Sequence, residues 1–159
     1  MNILFSNDWH KTYENIPVPH GLYARFEKEI HPFIRTSLIY YLQWLRKEYH
    51  FPVRINVYCK SGDKVRCRDK DLAYGVIYLP FDRSKLPSIR LACGNFQHDA
   101  PVTKDLMDTT DLILFSLTHE IVHYFQYINN IQLTPRGMER QATIYSRSII
   151  EYYLSLCDD

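Results

Sequence analysis

His119 and His123, four residues apart, with Glu120 directly after the first, are the residues of this chain best suited to chemistry. On an α-helix, positions i and i+4 lie about 40° apart around the axis, so both imidazoles can reach one metal ion. Glu120 projects beside that face, where it can take a proton from a water on such an ion without being a ligand. With seven His and seven Glu in 159 residues, this H-E-x-x-H spacing arises by chance in roughly one or two chains per hundred. Its context sharpens the signal. Residues 111–125 are apolar almost all round, as in a buried central helix. Two imidazoles and a carboxylate buried there without a partner cost several kcal/mol, a cost that a cation offsets. The pattern is that of metal-assisted hydrolysis.

A catalytic zinc takes three protein ligands and keeps one position open. The candidates for the third are Glu139, Glu151 and His98. The first helix is expected to end near Asn129 and Asn130, since Asn tolerates the left-handed conformation of a helix C-terminus. Thr134-Pro135 then reads as an N-cap followed by proline at the first helical position. Glu139 falls in the second turn of that new helix, which a short loop can fold back onto the His119/His123 face. Glu151 lies about 18 Å further along the same helix. Geometry therefore favours Glu139 as the third ligand; the alternative reading of Glu139 is an exposed helix residue paired with Arg136 or Arg140.

His-Glu-x-x-His followed on a second helix by Glu139-Arg140-Gln141-Ala142 resembles the gluzincin branch of the zincin metallopeptidases, especially its minimal members. The resemblance covers roughly residues 88–150. It implies zinc held by His119, His123 and Glu139, with Glu120 as general base and a peptide or protein as substrate. It also implies a substrate-binding edge strand before the active-site helix, for which residues 88–94 are well placed. One departure stands out. Many gluzincins carry an acidic residue four positions after the ligand Glu; here it is Thr143, so either Thr143, Gln141 or a backbone carbonyl orients the histidine, or the groups around the ligands are rearranged. Tyr145, Tyr124 and His98 are candidates to stabilise an oxyanion. Two other readings remain: a catalytically silent metal-binding module, and a regulator that cleaves one dedicated partner.

The length fits one domain spanning residues 1–159. A net charge of +1, with basic residues scattered along the chain, gives no reason to expect nucleic-acid or membrane binding. No run approaches a membrane span, and the first residues lack the charge and apolar core of a signal peptide, so a cytoplasmic protein with reduced cysteines is expected. A role for Cys93 as a thiol switch on the metal cannot be told from a buried strand cysteine.

Apolar residues from Leu22 to Tyr49 recur at helical spacing and predict a long N-terminal supporting helix, kinked or started at Pro32. Residues 53–59 alternate as a strand, 65–68 as a short return strand, 74–79 as another, and 88–94 as the proposed substrate strand. Helices follow over about 108–129 and 135–156. The expected fold is α+β: a small, mostly antiparallel sheet beside the supporting helix, the active-site helix and a following helix that carries the third ligand.

Overall fold

The computed structural model describes residues 2–158. A 3₁₀ turn (Ile3–Phe5) and α1 (Trp9–Thr12) precede β1 (Leu22–Phe26), α2 (Pro32–Glu48) and β2 (Ile55–Lys60). Then come β3 (Val65–Arg66), β4 (Leu72–Ala73), β5 (Gly75–Tyr78), β6 (Ser88–Ala92), α3 (Lys104–Ile128) and α4 (Pro135–Cys157). The fold is α+β, as expected.

Two expectations are corrected. The supporting helix does begin at Pro32, one of the two expected readings, but Leu22–Phe26 before it is a strand and not helical. Leu22 and Phe26 misled because a spacing of four places residues on one side of a helix and of a strand alike. Pro32 fits the first helical position, where the His31 ring accepts a hydrogen bond from the Phe33 amide at 3.1 Å. The helix buries Ile34, Leu38, Tyr41, Leu42 and Leu45 along one stripe.

The sheet is mixed, not mostly antiparallel. Its order is β1-β2-β6-β5, with β1 and β6 parallel to β2 and only β5 antiparallel. Helix α2 crosses from β1 to β2, and such a crossover makes neighbouring strands parallel. The turn at 61–63 leads into a separate two-stranded hairpin, β3–β4, instead of a partner for β2. Strand β6 is consequently internal, and the exposed edge beside it is β5.

Ile55, Val57 and Cys59 of β2 and Ile89 and Leu91 of β6 form the inner sheet face and pack against α2 and α3 in one core. Residues 2–20 lie against the C-terminal ends of α2 and α3, where Ile3 and Leu4 are buried and the Trp9 amide donates to Asn129 Oδ1. All four cysteines are free thiols. Among the described residues no helix is long and apolar enough to cross a membrane.

Candidate metal centre

Helix α3 is held rigidly on its buried side around the H-E-x-x-H stretch. Thr118 hydrogen-bonds the Tyr41 hydroxyl of α2 and donates to the Leu114 carbonyl. Tyr124 is fully buried, and its hydroxyl reaches both the amide and the carbonyl of Val53 just before β2. Ile121, Val122 and Phe125 fill the same side. The two ties anchor the helix to α2 and to the sheet, so that His119, Glu120 and His123 turn together toward the half-exposed face.

The loop after α3 behaves as its residues require. Asn130 takes the left-handed conformation (φ 52°), and the Ile131 amide returns to the Gln126 carbonyl at 2.9 Å. Thr134 caps α4 by accepting from the Gly137 amide at 3.0 Å, with Pro135 in the first turn. This brings Glu139 back over α3. Its carboxylate straddles both imidazoles: Oε2 lies 3.0 Å from His119 Nε2 and Oε1 3.0 Å from His123 Nε2. The two Nε2 atoms are 3.2 Å apart.

The tautomer of His123 follows from its neighbours. Gln126, fully buried, donates through Nε2 to the Met138 carbonyl at 2.9 Å, an atom that can only accept. Its Oε1 therefore faces His123 Nδ1, 2.7 Å away, and that nitrogen must carry the proton. A metal-binding imidazole with its proton on Nδ1 turns the lone pair of Nε2 toward the Glu139 carboxylate and toward His119. Burial, and secondarily the neighbouring His123, hold His119 below its ordinary pKa, which favours a lone pair there too. Three acceptors converge on one point. Ligands on a tetrahedral zinc at its usual bond lengths sit about 3.3 Å from one another, within a few tenths of an ångström of these separations. The donor set fits a metal ion, and His119, His123 and Glu139 lie close enough together to bind one.

Glu120 stands beside this triad without joining it. Burial pushes its carboxyl up to about 7; the nearby Glu139 also raises it, against a lowering by His123. It faces the edge strand at Gly75, where a Cβ would sit 3.4 Å from Glu120 Cγ. Next to it, toward the N-terminus of α3, Tyr74, Leu112, Ile113 and Phe115 line a recess that Asp63 and Lys64 also border.

No family model, curated protein or solved structure matches this chain.

The site's geometry brings the three expected ligands together and leaves Glu151 and His98 outside the group. Glu151 is exposed further along α4. His98 shares a surface recess with Lys28, Glu29 and Ser61, in a loop pinned to α2 by the bond between His31 and the Ala100 carbonyl. Tyr124 is committed to the core, and Tyr145 is half-buried against it. Cys93, just past β6, is buried beside Cys59, whose hydrogen bond raises its pKa; it is a core cysteine. Sequence reasoning missed Gln126. The residue that orients His123 comes from the same helix, three positions on, and Gln141 supports it from behind at 2.9 Å. A polar side chain on the otherwise apolar face of α3 was the available signal.

Proposed function

We propose that the chain is a zinc-dependent peptidase with a zincin-like arrangement, hydrolysing peptide bonds at His119, His123 and Glu139. The convergence of two imidazole lone pairs and a carboxylate on one point, with a separate buried carboxyl beside it, carries this reading. When bound, zinc would act as a Lewis acid, polarising the scissile carbonyl and acidifying water. The chain's own residues supply the rest. Glu120 accepts the proton of the attacking water and delivers it to the departing amine, a task suited to a carboxyl that titrates near neutrality. Strand β5 offers an open backbone edge on which an extended peptide adds as one more strand, and Gly75 lets it pass close to Glu120. The recess at Tyr74 and Phe115 suits a bulky apolar side chain next to the cleaved bond.

The test is hydrolysis of a mixed peptide library by the zinc-loaded protein. Cleavage beside large apolar residues is expected, falling at least about 100-fold in Glu120→Gln with zinc retained. A folded, zinc-loaded Glu120→Gln protein that cleaves as well as wild type removes Glu120 from its role.

A further inference from the structure

On the sheet face turned away from α2 and α3, β3 of the β3–β4 hairpin packs against β5 and β6, and the strand registers arrange the outward side chains in rows. One row runs Tyr23, Asn56, Ser88, Tyr78 across the four strands; the next runs Arg25, Tyr58, Arg90, Val76. Each row spans three strand spacings, about 14 Å. From the hairpin, Arg66 and Arg68 face Arg90 across a groove. Arg90 donates to the Arg66 carbonyl, and Arg68 lies 6.0 Å from the Tyr78 ring. At the other edge the Arg54 guanidinium stacks 4.1 Å from the Tyr23 ring and donates to Asn56 Oδ1. Lys60 continues the basic line at the end of β2.

The overall charge of +1 conceals this asymmetry. Residues scattered along the sequence, from Arg25 to Arg90, meet on one surface. No outward strand position on it is acidic. Glu27, just past β1, accepts from the Ser61 amide at the rim, and Asp69 and Asp71 sit at the hairpin tip among Arg68 and Lys70. Tyr23 and Tyr78 are 48% and 45% exposed. An acidic peptide would engage the cations and leave such rings without a role. A single strand of nucleic acid uses both, its phosphates meeting the arginines and its bases stacking on the tyrosines.

We propose that this sheet face binds single-stranded nucleic acid, with Arg25, Arg90 and Arg68 on phosphates and Tyr23 and Tyr78 as stacking platforms. The proposal is independent of the metal centre, which lies on the helical side of the sheet.

Fluorescence anisotropy of a labelled oligothymidylate of about twelve nucleotides tests it, titrated over a range of salt. Binding is expected that weakens steeply with salt. Arg25→Gln and Arg90→Gln should each lower the slope of log K against log salt by about 0.7. Tyr23→Leu and Tyr78→Leu should weaken binding about 5- to 100-fold with the slope unchanged. Arg25 and Tyr23 on one edge strand and Tyr78 on the other are exposed, so their variants give a readout even if Arg90→Gln does not fold. Three outcomes overturn the proposal: no binding at low salt, binding that folded variants leave unchanged, or equal binding of polyglutamate of matched charge.

Discussion

Replacing Gln126 by Leu probes the link between the core and the metal centre. The side chain is 1% exposed and makes hydrogen bonds to His123 Nδ1 (2.7 Å), the Met138 carbonyl (2.9 Å) and Gln141 (2.9 Å). Leucine fills nearly the same volume but satisfies none of these groups. At about 1 kcal/mol per bond, and more for partners left buried and unpaired, the metal-free protein should lose about 2–4 kcal/mol. In a chain of this size that lowers Tm by roughly 5–15 °C. The same change frees the His123 ring to rotate and to move its proton to Nε2, the atom that must face the metal. Losing such an orienting partner typically costs 10–100-fold in metal affinity, or about 1.4–2.7 kcal/mol. Competition with a chromophoric chelator reads the affinity, and unfolding of metal-free and zinc-loaded protein reads stability. Zinc should raise the Tm of the variant less than that of wild type. A variant with lowered metal-free stability but wild-type zinc affinity would refute the reasoning, because Gln126 would then be a core residue with no hold on the site.

Glu120→Gln should trade activity for stability. The carboxyl is pushed from 4.5 up to about 7, so its share of metal-free stability is present below about pH 4.5 and lost as pH rises through about 7. Glutamine removes that loss, and the variant should gain on the order of 2–3 kcal/mol over wild type at about pH 8 relative to pH 4, measured by denaturant unfolding in chelator. Thr134→Ala removes the cap of α4, the helix that carries Glu139; about 1 kcal/mol and roughly 2–4 °C in Tm should go, together with part of the zinc affinity. Gly75→Val should leave zinc content intact and lower peptide turnover, since its side chain would enter the space beside Glu120 that begins 3.4 Å away; steady-state kinetics at full zinc occupancy reads this.

The parts legible in the sequence were those governed by short-range rules. His119, Glu120 and His123 share a helix, so the 3.6-residue period alone places them together. Asn130, Thr134 and Pro135 have strong local preferences that mark where α3 ends and α4 begins, and these carried Glu139 into position. What stayed hidden depends on distant pairing. No local signal tells Ser88–Ala92 that it lies between β2 and β5, or that β5 is the edge facing Glu120. Leu22 and Phe26 satisfy both periods, and only pairing with β2 decides for a strand. Gln126 could be read as polar on a buried face, but its partner at His123 emerges only when α4 supplies the Met138 carbonyl that fixes its amide.

The most direct test of the central claim is the metal content of purified protein, compared with His123→Ala by elemental analysis. The account predicts a single zinc ion per wild-type chain, lost in a variant that retains its fold. Folded wild-type protein that holds no metal and takes up none when zinc is added would contradict it, leaving His119, His123 and Glu139 as a hydrogen-bonded surface cluster.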